Sequence, residues 1–178
     1  MTDHWIVTVM GYRQPDCLRN LANLVFANHG DWRESRVIEM GGRFAAILSV
    51  VVPRENSASL QSAIEDFADQ HELSLHLSVS QTEWVNNKER FRLKMTANNR
   101  RGLVHKVADI ANQVGLQLDE LITWCEPMPF GNEELFYAEI IASGSATGTA
   151  AMKTALESLG DDVVIEEVHN HADESKGA

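Results

Sequence analysis

The sequence predicts an α+β fold built from two copies of one small unit. Residues 4–81 and 90–169 each follow the order strand, helix, strand, strand, helix, strand in their hydrophobic pattern. A glycine ends the first helix of each copy, Gly30 in one and Gly115 in the other. The copies are offset by roughly 85 residues, which is typical of a duplicated domain and not of a solenoid repeat. Such duplicated units commonly bind or regulate something at a shared interface.

A change of hydrophobic period marks the first strand and helix of the first copy. Residues 5–10 are apolar and rich in β-branched side chains, which is typical of a buried strand. Pro15 suits the first turn of the next helix, where its missing N–H leaves no bond unmade. Gly30 suits the left-handed position that ends this helix. The predicted apolar face of the helix comprises Leu18, Leu21, Leu24 and Val25.

The rest of the first copy reads as a β-hairpin, a second helix and a final strand. Residues 32–52 contain two strands, and Gly41-Gly42 predicts a two-residue hairpin between them. Ser57 or Ser59 is a candidate N-cap for the second helix. Residues 73–79 alternate apolar and polar side chains, as a half-buried strand does. The apolar stripe of the second helix comprises Leu60, Ala63, Ile64, Phe67 and Ala68.

The second copy repeats this plan after a strand in which Phe91, Leu93 and Met95 alternate with polar residues. Its first helix ends at Gly115. The apolar face of that helix comprises Leu103, Val107, Ile110, Ala111 and Val114. The later predicted elements are strands at 116–124, 134–141 and 163–168, and a helix that ends at Gly160 and carries Met152, Ala155, Leu156 and Leu159 on one face.

The pattern divides the chain into two domains. We expect a first domain at 1–81, a linker at 82–89, a second domain at 90–170 and a disordered tail at 171–178. Each domain should form a four-stranded antiparallel sheet with two helices on one face, the ferredoxin-like arrangement. Because small domains bury little surface and leave sheet edges exposed, we also expect a homodimer.

Composition limits the classes of partner. The formal charge is −11, with 15 Lys and Arg against 26 Asp and Glu. Nucleic-acid binding depends on Lys and Arg that displace counterions from phosphates, so direct DNA or RNA binding is not expected. No apolar run approaches the roughly 20 residues that span a bilayer, so no membrane partner is expected. Two cysteines in different halves and an N-terminus without a signal-peptide pattern favour the cytoplasm.

The chain offers no catalytic or metal-binding constellation. No nucleophile, base or ligand set is supported by neighbours, so we predict neither an enzyme nor a cofactor nor a metal site. His169 and His171 could face one ion from a strand, but no further ligand lies nearby, and a solvated tail is the preferred interpretation. Cys17 could be a thiol activated at a helix N-terminus, although a small buried side chain is preferred.

The loop before the first helix of the second copy is the candidate ligand site. Unpaired N–H groups and the dipole at a helix N-terminus favour a carboxylate such as that of an amino acid. Asn99 could bond an amino group, Arg100 could pair with a carboxylate, and Gly102 would allow close approach. Alternatively, the asparagines cap the helix and the arginines face solvent. The candidate residues are Asn98, Asn99, Arg100, Gly102, Leu103 and Val104.

The other side of the site is expected where a helix ends and a strand starts in a neighbouring copy. There, backbone amides and carbonyls could serve the carboxylate and ammonium groups of an amino acid. The candidates are Gly30, Asp31, Gly115 and Leu116.

The loop at 99–104 resembles the first loop of ACT domains, which reads Asp-Arg-Pro-Gly followed by an aliphatic pair. This chain has Asn in place of Asp and Arg in place of Pro. In the first copy, residues 13–18 occupy that place and keep only the proline. Asp16 stands where the family has glycine and adds a negative charge where a carboxylate would approach. The resemblance implies βαββαβ modules that typically bind amino acids at domain interfaces.

Within that family the chain resembles the glycine cleavage system transcriptional repressor group. Ser35-Arg36, followed by Gly41-Gly42-Arg43-Phe44, is similar to the first domain of that group. The resemblance implies a non-catalytic regulator that responds to a small amino acid, with glycine as the candidate effector. It would act by contact with a DNA-binding activator. Two alternatives stay open: an interaction module without a ligand, and a regulatory subunit of an amino-acid metabolic enzyme.

Overall fold

A computed structural model describes residues 1–80, 89–129 and 132–168. The chain divides into two compact units, Met1–Val85 and Asn86–Ala178. Residues 82–88 of the predicted linker lie outside the described residues, as do His169, His171 and the predicted tail.

The first unit has six elements and one antiparallel sheet. They are β1 (Thr2–Tyr12), α1 (Cys17–Ala27), β2 (Asp31–Met40), β3 (Arg43–Pro53), α2 (Arg54–Gln70) and β4 (Ser74–Ser80). The strand order is β2-β3-β1-β4. Every neighbouring pair is antiparallel.

The second unit repeats this order. Its elements are β5 (Glu89–Asn98), α3 (Leu103–Gln113), β6 (Gln117–Pro127), β7 (Glu134–Gly144), α4 (Ala146–Glu157) and β8 (Val164–Glu167). The strand order, β6-β7-β5-β8, matches that of the first unit, and all neighbouring pairs are antiparallel. Two ferredoxin-like βαββαβ folds are therefore present, as predicted.

Each unit has its own core between one sheet face and its two helices. In the first unit, Val7 and Val9 of β1 are fully buried against Leu21 of α1 and Ile64 of α2. The alternation along β1 leaves Ile6, Thr8 and Met10 on the opposite face, which carries no helix. The second unit buries the equivalent side chains, including Leu93, Met95, Val107 and Met152.

The end of α1 differs from its prediction. His29, and not Gly30, adopts the left-handed conformation, with φ 57°. The reason for glycine at position 30 is steric, because an added Cβ would lie 2.9 Å from Val25 Cγ1 and 3.0 Å from the Val25 carbonyl oxygen. In the second unit, Gly115 does take the left-handed position after α3, with φ 72°.

His29→Gly is expected to stabilise the first unit by about 0.5–1 kcal/mol, because glycine relieves a positive φ that other residues adopt with strain. His29→Ala, which keeps the strain, should give no such gain. Gly115→Ala should cost about 1 kcal/mol in the second unit, since nothing lies within 4 Å of the added Cβ and only the backbone opposes it. Urea unfolding of the three variants checks this, and a stabilised His29→Ala would contradict it.

The start of α2 also differs from its prediction. The helix follows Pro53 directly, and neither Ser57 nor Ser59 caps it. Ser57 Oγ accepts a hydrogen bond from Trp5 Nε1 at 3.1 Å, and Ser59 Oγ donates to Asn28 Oδ1 at 2.7 Å. Both serines therefore connect α2 to neighbouring elements of the unit.

The β2–β3 hairpin has the predicted two-residue turn. Gly41 and Gly42 have φ of 57° and 74°, and the flanking residues Met40 and Arg43 pair directly. Positive φ at both central residues is what this tight turn requires.

The C-terminal end of α4 differs from its prediction, and its start has a side-chain cap. Ser145 caps its start by accepting a hydrogen bond from the Gly148 N–H at 3.1 Å. The helix stops at Glu157, three residues before Gly160. Gly160 is therefore not the residue that ends the helix.

Candidate functional site

The loop between β5 and α3 brings a helix N-terminus to the surface of the second unit. Gly102 immediately precedes α3 with φ 92°, and no side chain caps the helix. An added Cβ on Gly102 would meet nothing within 4 Å. Leu103 is buried and Val104 is partly exposed. The N–H groups of the first turn are therefore open to an incoming acceptor, and the expectation that the asparagines cap this helix is wrong.

The guanidinium group of Arg100 is already hydrogen-bonded to other residues of the second unit. Its Nη1 donates to Asp162 Oδ2 at 2.5 Å, and its Nη2 donates to the Leu159 carbonyl oxygen at 3.2 Å. Nη1 also lies 3.2 Å from the Asn98 carbonyl oxygen. Arg100 thus fixes the loop against the turn that follows α4, and we call this contact the Arg100–Asp162 clamp. The expectation that Arg100 faces solvent is wrong, and its predicted pairing with a ligand carboxylate would require the clamp to open.

Asp162 holds both the backbone and the side chain of the loop. Its Oδ2 accepts a hydrogen bond from the Asn98 N–H at 2.8 Å as well as the one from Arg100. These two bonds, that of the Asn98 N–H first, lower the pKa of Asp162 below its ordinary value of 3.8. The ionised carboxylate of Asp162 therefore stabilises the contact between the 98–102 loop and the turn after α4 at pH values above the pKa that Asp162 has in the folded protein.

Gly160 lies directly against the same clamp. An added Cβ would lie 2.5 Å from Asp162 Oδ1 and 3.1 Å from Arg100 Nη2. A Cβ at this position would therefore displace the side chain of Asp162 or Arg100, which gives a structural reason for a glycine that the sequence pattern assigned to the helix end.

The first unit has a related contact at the equivalent position. Gln14 precedes α1 by three residues, as Arg100 precedes α3. Its Nε2 donates to the His71 carbonyl oxygen at 2.7 Å, and its Oε1 lies 2.6 Å from His71 Nδ1. In both units, one loop side chain ties the start of the first helix to the turn after the second. The sequence signal for this role is a long polar side chain three residues before each helix.

A polar cavity lies beside the loop of the second unit. It has a volume of about 350 Å³. Asn99 donates from Nδ2 to Glu134 Oε2 at 2.8 Å, and its backbone N–H donates to the Glu134 carbonyl oxygen at 2.8 Å. The lining residues are Asn98, Asn99, Asn132, Glu133 and Glu134. Carboxylate and amide oxygens suit a cation or an ammonium group, and the sequence did not single out these two glutamates.

In the equivalent loop of the first unit, a negatively charged side chain lies directly before the helix. Asp16 occupies the place of Gly102, with φ 63°, directly before α1. Its carboxylate lies 3.3 Å from Arg19 Nη2. A negative side chain here competes with any ligand carboxylate for the helix N-terminus.

The candidates at the helix ends have fewer free donors than expected. The N–H of Gly30 donates to the Val25 carbonyl oxygen at 2.8 Å. The N–H groups of Gly115 and Leu116 donate to carbonyl oxygens of α3 at 3.1 and 2.9 Å. Asp31 Oδ2 lies 2.9 Å from Arg33 Nε. The N–H groups of Gly30, Gly115 and Leu116 are thus already hydrogen-bonded at the ends of their helices, while the carbonyls of these residues and Asp31 stay candidates.

The two sets of candidates do not meet within one unit. The loop at 98–104 lies at the start of α3, and Gly115 and Leu116 lie beyond its end. The helix has 11 residues, which corresponds to about 16 Å. A site that uses both sets needs a second copy of the domain.

The remaining chemistry candidates carry no site in the described residues. Cys17 is buried in the core of the first unit, and burial raises the pKa of its thiol, which opposes nucleophilic activation. Within residues 1–80, 89–129 and 132–168, no group of three or more His, Cys, Asp or Glu could hold a metal ion. Among the helices described, none has the length and apolar character needed to cross a membrane.

The family model described as "ACT domain" matches residues 3–78. The first unit therefore belongs to the ACT domain family, and the second unit repeats its fold. The chain thus contains two ACT-type domains in tandem. No curated protein sequence matches it significantly.

Two solved structures share this fold over nearly the whole chain. The first is described as an unknown protein from Galdieria sulphuraria; it has 21% identity and a TM-score of 0.81, with 95% of this chain and 100% of that one covered. The second is described as a "putative glycine cleavage system transcriptional repressor"; it has 15% identity and a TM-score of 0.70, with 96% and 99% covered. At these identities the similarity concerns the fold.

Proposed function

We propose that this protein is a cytoplasmic regulator that binds a small amino acid and acts through contact with a DNA-binding activator. The single observation that carries the proposal is the uncapped N-terminus of α3 at Gly102, in a loop whose earlier residues Asn98 and Asn99 line a polar cavity, in a tandem ACT-type chain. The likeness in fold to the repressor-like structure supports the regulatory role, with glycine as the candidate effector.

The two ends of an amino acid match two features of this loop. The N–H groups of Leu103 and Val104 in the first turn of α3 suit the carboxylate. Oxygen atoms of Asn99, Glu133 and Glu134 suit the ammonium group. A cavity of about 350 Å³ favours a small ligand. The carbonyls near Gly30 or Gly115 would complete the site from a second copy of the domain.

Effector binding would be coupled to partner binding. The Arg100–Asp162 clamp joins the ligand loop to the turn before β8, so an occupied loop can shift the balance between clamped and open forms. By linkage, the activator would change effector affinity by the same factor by which the effector changes activator affinity.

A thermal-shift screen of the amino acids against the full chain tests the proposal. A true effector should stabilise the protein by about 2.7 kcal/mol at 100 times its dissociation constant, which raises the Tm by several degrees. Calorimetric titration should then give a finite heat for that amino acid. If no amino acid changes the Tm or gives heat, the proposed effector role is wrong.

A second candidate function is an interaction module that binds no effector. Two observations favour it: Arg100 is already engaged by Asp162, and Asp16 closes the equivalent loop of the first unit. This function predicts that the activator binds with the same affinity with and without amino acids. A titration of the activator in both conditions separates the two functions.

A further inference from the structure

Strand β4 forms an edge of the first sheet with one free side. It pairs with β1 on its other side, from Ser74 to Ser80, in a register without a shift. In the described part of the chain, no strand pairs with the N–H and C=O groups on the free side of β4. A row of such groups is a template for an additional strand.

The other three outer strands carry the features by which proteins protect a sheet edge. The register shifts once in β2 and once in β6, and β8 has only four residues. All three strands contain charged side chains, which are Asp31, Arg33, Glu34, Arg36 and Glu39 in β2, Asp119, Glu120 and Glu126 in β6, and Glu166 and Glu167 in β8. β4 has seven residues without Asp, Glu, Lys, Arg, Pro or Gly. Among the four outer strands described, β4 is therefore the one open to strand addition.

Apolar side chains line the helix side of this edge. Leu75, Leu77 and Val79 point to that side, since each pairs with a buried residue of β1. Leu75 and Leu77 are half-buried, and Val79 is 54% exposed. The opposite side of the strand carries the exposed polar side chains of His76 and Ser78. An added strand would thus remove apolar surface from water on the helix side.

Helix α2 places acidic side chains along the same edge. Ser59 marks the α1 side of α2, because its hydroxyl donates to Asn28 Oδ1. Gln61 lies about 200° further round the helix, on the opposite side, and Glu65 and Asp69 follow at intervals of one turn. Gln61 Nε2 donates to Glu65 Oε1 at 2.8 Å. Since α2 packs on both β1 and β4, this stripe runs along the β4 side of the helix.

The acidic stripe has no basic counterpart nearby. Within the described residues, neither Glu65 nor Asp69 forms an ion pair, and both are exposed. Arg54, the one basic residue of α2, pairs with Asp3 at the start of the helix. The edge therefore combines free backbone groups, exposed apolar side chains and negative charge that is not neutralised.

We propose that the free edge of β4 binds an extended segment of another protein in which Lys or Arg alternates with β-branched residues. The segment would add a fifth strand through main-chain hydrogen bonds. On the helix side, the aliphatic stems of Lys or Arg would cover Leu77 and Val79 while their charged ends reach Glu65 and Asp69. The β-branched residues would lie on the other side of the sheet. The net charge of −11 also favours the approach of a basic segment.

A second copy of this chain fits the edge poorly. Pairing of two β4 strands would bring the acidic stripes of both α2 helices side by side, and β4 itself has no Lys or Arg to neutralise them. The proposal goes beyond the proposed function and needs no effector.

Fluorescence anisotropy with the full chain and a labelled seven-residue peptide of alternating Lys and Val tests the proposal. The control peptide has Pro in place of the central Val, so it keeps every positive charge but loses strand hydrogen bonding. We expect the first peptide to bind at least tenfold more tightly. Equal binding of both peptides would mean that net charge alone attracts them. That result, or no binding of the first peptide up to about 1 mM, overturns the proposal.

A charge reversal on α2 tests the location. Glu65→Lys should weaken binding of the alternating peptide roughly fivefold, because it replaces an attractive charge by a repulsive one. The matched control is Glu157→Lys, which makes the same change at an exposed position of α4 in the second unit and should leave the affinity unchanged. Circular dichroism confirms that both variants fold. Equal weakening by both variants would contradict the assignment to β4.

Hydrogen exchange measured by mass spectrometry gives a second readout that needs no variant. The peptide should slow exchange of the backbone amides in 74–80 and leave those in 31–40 and 117–127 unchanged. Protection of another outer strand in place of β4 overturns the proposal. If the amides of β4 are instead protected in the peptide-free protein at high concentration and become exposed on dilution, a second copy occupies the edge and the proposal is wrong.

Discussion

Gly102→Asp is expected to abolish amino acid binding and with it the effector-dependent rise in Tm. The substitution gives the loop of the second domain the residue that Asp16 provides in the first. A carboxylate at this position would occupy the N-terminus of α3 and repel the carboxylate of the ligand. The added side chain also has to adopt φ 92°, which costs aspartate and asparagine some backbone strain alike. Calorimetric titration with the effector found in the screen measures the loss.

Gly102→Asn is the matched control, because asparagine has the shape of aspartate, tolerates positive φ and carries no charge. We expect it to weaken binding far less than Gly102→Asp. If both variants lose amino acid binding equally, the size of the added side chain and not its charge prevents binding. Undiminished binding to Gly102→Asp would place the ligand elsewhere. The reverse change, Asp16→Gly, opens the first loop and tests whether charge alone closes it.

The fold was predictable because its signals are local and occur twice. Alternation at Phe91, Leu93 and Met95 and helical spacing at Val107 and Ile110 each depend on neighbours within a few residues. The Gly41-Gly42 turn likewise demands positive φ that few other pairs provide.

The errors arise where packing between elements overrides a local preference. A glycine after a helix usually supplies positive φ, but Gly30 is there because Val25 and Val50 leave no room for a Cβ. His29 takes the strained position instead. Ser57 looks like a helix cap, but it accepts a hydrogen bond from Trp5, 52 residues earlier in the chain. Such contacts are invisible until the strands are placed.

The sequence predicted which loop forms the candidate site, but it did not predict the contacts that the side chains of this loop make. The open helix N-terminus follows from Gly102 and its neighbours. The partner of Arg100 does not, since Asp162 lies 62 residues away in the turn that follows α4. The acid pair Asp161-Asp162, just after a glycine, was the available signal.

Gly160→Ala is expected to destabilise the second domain by about 1–3 kcal/mol and to loosen the loop at 98–102, because the added Cβ overlaps the clamp. The carboxylate of Asp162 or the guanidinium of Arg100 must move to admit it. Asp162→Ala should lower stability in the same direction, since it leaves the Asn98 N–H without its acceptor. Differential scanning calorimetry measures both. Asp161→Ala, which removes a neighbouring exposed charge, is the control and should have little effect.

The pH dependence of stability distinguishes the loss of the Arg100–Asp162 clamp from steric overlap at residue 160. Because the pKa of Asp162 is lowered in the folded protein, its contribution to stability is present above its ordinary value of 3.8 and is lost as the pH falls through the lower folded value. Asp162→Asn cannot titrate, so its stability should fall less steeply in this acid range than that of wild type. Asp3, whose pKa is lowered by hydrogen bonds from Ser57 and Arg54, titrates in both proteins and cancels in the comparison. Identical acid slopes would mean that the carboxylate of Asp162 does not hold the loop, and the loss in Gly160→Ala would then come from crowding alone.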